Sequence, residues 1–258
     1  MAEVITPIIA TVHVGSQYPD QWVGKLARSV AKHVKQPHTF TIYTDKVAAN
    51  NFECTGFSHQ IIKLVDIEAN QLLGYFAKLR LFDQRLTGVQ PFLYLDLTLV
   101  VRNSLDPLIE EGQSGQASLI GVADWNYPIL NSSVLWIKPS PATQEVWTAW
   151  CEERYDKSHF PGDQNFIFKV FQDKNNEELQ YWPSEWISSY KVLLKTANKN
   201  RQLAATKLNQ SLILKFHGKP KMDSVLAALP PLSIVLRYPL NPWLWRYLRA
   251  ELKSDWGN

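Results

Sequence analysis

The run Pro91-Phe-Leu-Tyr-Leu-Asp96-Leu-Thr98-Leu-Val-Val101 passes from apolar residues into one aspartate and out again. Short apolar runs of this kind suit strands buried on both faces of a parallel sheet. A carboxylate set in such a run costs several kcal/mol of desolvation unless a metal, a hydrogen-bond donor or water meets it. In open α/β sheets the carboxyl ends of the strands border the ligand crevice. Asp96 therefore reads as a working acid at a strand end. The plainer alternative is an acid that only satisfies local backbone donors.

The segments around it alternate between the two periodicities. Ile8 to Val14 reads as a first strand, followed by the turn-rich Gly15-Ser-Gln-Tyr-Pro-Asp20. Trp22, Val23, Leu26, Ala27, Val30, Ala31 and Val34 then fall on one helical face, with Asp20 as the expected N-cap. His38 to Thr44 is a second strand by its β-branched and aromatic content, and Ile61 to Leu64 a short third. Leu72 to Leu86 reads as a helix with Leu72, Phe76, Leu79 and Phe82 on one side, leading into the strand that ends at Asp96. Beyond it, Ala117 to Val122 and Ser133 to Ile137 read as strands, and Ala142 to Tyr155 and Gly162 to Phe171 as helices. Lys191 to Gln210 is polar and reads as helix or loop, and Leu212 to Phe216 as a last strand. Strands alternating with helices, with polar residues at strand ends, predict a doubly wound α/β sheet.

The 258 residues suffice for one large domain or two small ones, and no linker composition splits the chain. A net charge of +3 is too mild to argue for nucleic acid, although it suits an anionic small ligand. Cys54 and Cys151 have no metal-ligand spacing and are expected to be buried, reduced thiols. The start, Met-Ala-Glu-Val-Ile-Thr-Pro, lacks a basic and then a long apolar region, so no signal peptide is expected. No apolar run approaches the roughly 20 residues that span a bilayer. The expected location is the cytoplasm.

Four polar marks follow apolar strands or open helices: Asp96-Leu-Thr98, Asn131-Ser-Ser, Gly162-Asp163-Gln164 and His217-Gly218-Lys219-Pro-Lys221. Each alone has an ordinary explanation. Asp163 can cap its helix, His217 can be a structural histidine, and Lys219 and Lys221 can be a solvated basic turn. Together and in this order they resemble the motifs of the retaining glycosyltransferases of family eight, the group of GT-A fold that contains glycogenin and the bacterial lipopolysaccharide galactosyltransferases. The resemblance covers most of the chain, from Ile8 to Lys221. Tyr94-Leu-Asp96-Leu-Thr98-Leu-Val-Val resembles the family's strand and Asp-x-Asp motif, and Leu105-Asp-Pro-Leu108 its continuation. Leu130-Asn131-Ser-Ser resembles its Asn-Ser-Gly strand, and Gly162-Asp163-Gln164 its Gly-Asp-Gln turn. Phe216-His217-Gly218-Lys219-Pro220-Lys221 resembles its C-terminal His-Gly-x-Lys-Pro signature, one residue shorter.

The resemblance implies a single GT-A-like domain over residues 1–258, Rossmann-like, with a mixed, mostly parallel sheet flanked by helices and a helical tail over 222–258. It implies a transferase that moves a hexose from a nucleoside diphosphate sugar, UDP-sugar first among donors, to an unknown glycan, lipid-linked or protein acceptor, with retention. Asp163, Gln164 and Asn131 are its implied catalytic residues. Thr11, Tyr18, Lys78, Asp96, Thr98, Asp124, Gly218 and Lys219 are implied to bind the donor. Asp96 and His217 are implied to hold Mn²⁺ or Mg²⁺. Thr98 departs from the pattern, because its neutral hydroxyl stands where the family has a second acid, and this raises the alternative of a weakened or non-catalytic nucleotide-sugar-binding relative. A metal-independent transferase, with basic residues in place of the cation, is the other alternative. An oxocarbenium-like transition state favours oxygen dipoles and carboxylates at the anomeric carbon. If Gln164 occupies the face opposite the leaving group, its amide is a poor nucleophile and front-side attack is the easier path. The tail Tyr238-Pro-Leu-Asn-Pro-Trp-Leu-Trp-Arg-Tyr-Leu-Arg249 reads as a helix docked on the core, or as a peripheral membrane contact, since tryptophan and tyrosine favour the interfacial zone.

Overall fold

The computed structural model describes residues 6–48, 52–54, 57–67, 72, 74–174, 176–219, 221–226, 249–250, 253 and 256. In chain order the elements begin β1 (Ile8–His13), α1 (Gln21–His33), β2 (His38–Thr44), β3 (Gln60–Asp66), a 3-10 helix (Gly74–Phe82) and α2 (Gln84–Thr87). There follow β4 (Phe92–Leu95), β5 (Leu99–Val101), α3 (Asp106–Ser114), β6 (Leu119–Ala123), β7 (Leu130–Ile137), α4 (Pro141–Cys151) and α5 (Asp163–Lys174). The last are β8 (Leu179–Tyr181), β9 (Ile187–Ser189), α6 (Tyr190–Lys199), α7 (Arg201–Gln210), β10 (Ile213–Lys215) and α8 (Met222–Leu226). The chain divides into two compact units, Met1–Leu97 with Asp106–Trp182, and Thr98–Leu105 with Pro183–Asn258.

The first unit is built on a seven-stranded sheet of order β3-β2-β1-β4-β7-β6-β8. β1 runs parallel to β2 and β4, β2 parallel to β3, and β6 parallel to β8, while β7 is antiparallel to both β4 and β6. Every residue of β4 and of β7 is buried; β4 is apolar throughout, whereas β7 buries the polar Asn131, Ser132 and Ser133 ahead of its apolar run Val134 to Ile137. The edge strand β3 instead alternates, with Ile61, Lys63 and Asp66 exposed. Helix α1 buries Trp22, Val23, Leu26, Ala27 and Val30 along the face its periodicity predicts. Burying each of Val23, Leu26 and Val30 contributes roughly 1.5–3 kcal/mol, and Ala27 less. Helix α3 comes so close to β7 that a Cβ at Gly112 would lie 2.2 Å from the Trp136 ring, so only glycine fits there. Helix α4 starts on a capping box: Ser140 Oγ accepts from Thr143 N at 3.2 Å, while Ser140 N donates to Thr143 Oγ1 at 2.9 Å, with Pro141 beside it.

The second unit carries a three-stranded sheet of order β5-β10-β9, in which β5 is antiparallel and β9 parallel to β10. The polar stretch after Tyr190 is helical, as α6 and α7, each opened by a side-chain cap, Ser189 on Val192 N and Asn200 on Leu203 N.

Several expectations change. The apolar run from Pro91 to Val101 is two strands in two different sheets, separated by the turn at Asp96, Leu97 and Thr98. The segment over Gly74–Phe82 is a 3-10 helix, whose threefold repeat buries Leu79 and Phe82 as an α-helix would have. Asp20 occupies the N-cap position of α1 without capping it, because its carboxylate is drawn to His13 Nε2 at 2.7 Å and Lys46 Nζ at 2.6 Å. Those two hydrogen bonds, His13 first, hold the Asp20 carboxyl below its usual range. Cys151, expected to be buried, is exposed at the end of α4, and Cys54 is half-buried; both are free thiols. Most of the aromatic tail, 238–248, lies outside the described residues. Among the described residues no helix is long and apolar enough to cross a membrane.

Candidate active site

Three strand ends of the first unit meet at one edge of its sheet. β4 runs out into Asp96, whose backbone N–H still donates to Ser133 O at 2.9 Å. Because β7 is antiparallel, with Leu95 opposite Val134, its beginning, Leu130-Asn131-Ser132, lies at that same edge. β6 pairs Val122 with Asn131 and Ala123 with Leu130, which brings its C-terminal neighbour Asp124 there too.

The centre of this edge is an ion pair. Lys78 Nζ stands 2.9 Å from Asp163 Oδ2 and donates to Ser132 Oγ at 2.9 Å, and Ser132 Oγ donates to the same carboxylate oxygen. All three residues are buried. Burial alone would push the Lys78 ammonium down; the carboxylates of Asp163 and then Asp96 reverse this and raise it above its ordinary value. Lys78 also lies 5.3 Å from the centroid of the Tyr94 ring. The Tyr94 hydroxyl donates to Asp96 Oδ1 at 3.2 Å. Burial first, and then Asp96, raise the Tyr94 phenol well above its ordinary value, so it stays a proton donor. Asp96 itself is half-buried.

Beside the ion pair are two depressions. The smaller is lined by His13, Tyr18, Tyr75, Lys78, Tyr94 and Asp96 among others. Tyr18 stacks on Trp22 at 5.3 Å, and burial, followed by the Asp96 charge, raises its phenol. The larger is a cleft of about 620 Å³, within the 300–1,000 Å³ of ordinary ligand pockets. Its walls are Tyr75 and the loop Tyr127-Pro128-Ile129; the turn Pro161 to Asn165, with Asp163 and Gln164, forms the rest. Asp163, the first residue of α5, turns its carboxylate to Lys78 and Ser132.

Asn131 and Asp124 form a second pair: Asn131 Nδ2 donates to Asp124 Oδ2 at 2.9 Å. The other Asp124 oxygen accepts from Asn126 N at 2.9 Å and Tyr127 N at 3.2 Å, which fixes the loop bordering the cleft. Thr11 is placed differently. It is fully buried in β1, and its hydroxyl donates to Leu95 O at 2.8 Å, lacing β1 to β4.

The remaining expected site residues belong to the second unit. Thr98 is buried, and its hydroxyl accepts from Lys215 Nζ at 2.6 Å; Lys215 is buried as well. His217 Nε2 makes a long 3.5 Å contact with Ser189 Oγ, the cap of α6. Gly218 holds φ +65°, a conformation that favours glycine, and a Cβ there would lie 2.7 Å from Lys191 Nζ. Lys219 is exposed.

The first unit thus brings together Asp96, Lys78, Asp163 and Gln164, with the Asn131–Asp124 pair at the same sheet edge. Tyr94, Ser132, Tyr75, Tyr127, Lys191 and Lys215 were missed in the sequence. Tyr94 had a signal, since residues two apart on a strand share a face with Asp96. Lys215 had the same signal as Asp96, one charge inside an apolar run.

The divalent cation that the resemblance implies would take Asp96 and His217 as ligands, and Thr98, whose hydroxyl accepts from Lys215 Nζ at 2.6 Å, would bring it no charge. Among the described residues no group of three or more His, Cys, Asp or Glu is gathered to hold a metal ion.

No family model matches the chain, and no curated protein matches it in sequence. Its fold is that of the GT-A glycosyltransferases, by likeness to solved structures. The glycosyltransferase GlyE of Streptococcus pneumoniae TIGR4 aligns with a TM-score of 0.61 and 15% identity, over 97% of this chain and 64% of that one. The bifunctional glycosyltransferase WbbM aligns with a TM-score of 0.66 and 13% identity, over 96% of this chain and 53% of that one. The galactosyltransferase LgtC, solved with donor and acceptor sugar analogues, aligns with a TM-score of 0.56 and 16% identity, over 93% of this chain and 99% of that one. The chain therefore spans less than two thirds of the length of GlyE and of WbbM.

Proposed function

We propose that this chain is a glycosyltransferase, akin to the retaining enzymes of family eight, that moves a hexose from a nucleoside diphosphate sugar to a glycan, lipid-linked or protein acceptor. UDP-sugars are the first donors to test. The observation that carries this reading is the buried Lys78–Asp163–Ser132 triangle beside the 620 Å³ cleft lined by Gln164, at the sheet edge where Asp96 ends β4. An ion pair of that kind fixes the direction of Asp163 before any ligand arrives, and preorganised dipoles and charges are the largest contribution to stabilising a charged transition state.

In this reading Asp163 faces the sugar and offers negative potential as positive charge develops on the anomeric carbon. Gln164 and Asn131 hold sugar and acceptor hydroxyls through their amides. Lys78, already paired, positions Asp163 rather than grasping a phosphate. Asp96 and the Tyr94 phenol form a hydrogen-bonded edge for the donor, and Tyr18 offers its ring to the base. Incubation with a panel of UDP-hexoses and other nucleoside diphosphate hexoses is expected to release the nucleoside diphosphate from at least one, by hydrolysis or transfer. Thermal stabilisation by these ligands with turnover of none would overturn the enzyme reading.

A further inference from the structure

We propose that Tyr75 and Tyr127 stack on a sugar ring in the cleft they both line, so that the acceptor of this chain is a glycan. The inference rests on the glycosyltransferase reading above and names the acceptor class for that same site. Of the phenylalanines, tyrosines and tryptophans described, Tyr127 at 66% and Tyr75 at 56% are the most exposed. Large apolar side chains usually leave water, and a group of them exposed on one concave surface marks a ligand groove.

Both rings are held from behind. Asp124 Oδ1 accepts from Asn126 N at 2.9 Å and from Tyr127 N at 3.2 Å. Ile129 N donates to Tyr127 O at 2.8 Å, and Asp124 N to Ile129 O at 3.0 Å, so the backbone at Tyr127 is tied on both sides. Tyr75 stands in the 3-10 helix next to Phe76, which stacks on Trp150 at 4.9 Å, and the Tyr75 hydroxyl accepts from Gln17 Nε2 at 3.3 Å. A tyrosine has only two χ torsions to fix, so a ring presented on a fixed backbone grips a ligand at small entropic cost.

The rest of the lining selects the ligand. A pyranose has a face of weakly positive C–H groups that lies against the negative face of an aromatic ring. Its hydroxyls need partners that both donate and accept, and Gln164 and Asn165 bring such amides to the cleft. A polyprenyl chain would leave those amides without partners. An extended peptide would seek a strand edge, yet no lining residue lies in a strand, and Pro128 and Pro161 have no N–H to offer it. Tyr75 also lines the smaller depression beside Tyr18 and Asp96, so a sugar in the cleft adjoins the place assigned to the donor.

Saturation-transfer NMR tests this with maltotetraose, cellotetraose, lactose and N-acetyllactosamine, beside farnesyl phosphate and an unstructured peptide containing serine and tyrosine. Turnover of UDP-hexoses is measured in parallel. At least one oligosaccharide is expected to bind, and neither the lipid phosphate nor the peptide. Tyr127→Ala and Tyr75→Ala are each expected to weaken that sugar about tenfold, the worth of one stacked ring, whereas Tyr127→Phe should keep it. Unchanged sugar affinity in both alanine variants would overturn the inference. Binding of farnesyl phosphate or the peptide in place of every oligosaccharide would overturn it too, as would binding of no probe; neither comparison needs a variant to fold. Donor turnover alongside any of these results leaves the transferase reading standing. Oligosaccharide binding that Tyr127→Ala weakens, without turnover of any donor, supports the stacking tyrosines and sinks only the transferase reading.

Discussion

Two buried lysines, one in each unit, are held in opposite ways. Lys78 has a carboxylate at 2.9 Å, and the serine that completes the triangle donates to that carboxylate as well. Lys215 has a threonine hydroxyl at 2.6 Å, an oxygen dipole that brings no negative charge. The first arrangement spends the ammonium inside the protein, on fixing Asp163. The second ties the ammonium to the hydroxyl of Thr98, just before β5. The contrast is between a lysine set against a carboxylate and one set against a hydroxyl.

The sharpest way to break the comparison is to remove one partner on each side. Lys78→Met strands the Asp163 carboxylate in a buried position and is expected to cost about 3–5 kcal/mol, whereas Thr98→Val takes one charge-assisted hydrogen bond and is expected to cost about 1.5–3 kcal/mol. Urea denaturation of both variants measures this, and equal losses would erase the distinction. Asp96→Ala sharpens it from the donor side. Asp96 is half-buried and accepts a hydrogen bond from the Tyr94 phenol, and its loss is expected to abolish donor turnover while the protein stays folded by circular dichroism. Turnover close to wild type would remove Asp96 from the site.

The smallest expected effect lies away from both lysines. His38 is buried in β2, its Nδ1 donating to Gln36 O at 2.9 Å, and burial holds its imidazole below the usual range. The unfolded chain then binds a proton that the folded chain resists. The His38 contribution is therefore complete above the unfolded histidine pKa near 6.5 and is lost as pH falls below it. Thermal melts from pH 7.5 to 5.5 should show a falling midpoint that Thr98→Val and Asp96→Ala share with wild type. A midpoint that stays level across this range would remove the assigned role of His38.

The strongly periodic parts of the fold were legible. β2 spans the seven residues its composition predicts, and α1 buries the face that its spacing marks. What was not legible has physical causes. The run through Asp96 is apolar on both sides, and nothing in composition says that Leu93 and Val100 belong to different sheets. The 3-10 helix after Gly74 repeats every three residues, and over nine residues that pattern mimics an α-helix. Asp20 reads as a cap because local spacing says nothing of the two groups that take its carboxylate, His13 and Lys46, the latter 26 residues away. In the candidate site Asp96, Asp163, Gln164 and Asn131 were all marked by the order of short motifs. Lys215 is marked only by being one charge in the apolar run Leu212 to Phe216, beside the more conspicuous His217 and Lys219.

Gly218 gives the second unit a property unrelated to loop shape. Its φ of +65° already disfavours a side chain, and the atom a methyl group would meet is the tip of Lys191, which can swing aside. A Gly218→Ala change would therefore carry the backbone strain of that φ and would displace an ammonium as well. The residue with no side chain sets an address for a charge: one added methyl, neutral and small, would redraw the local electric potential.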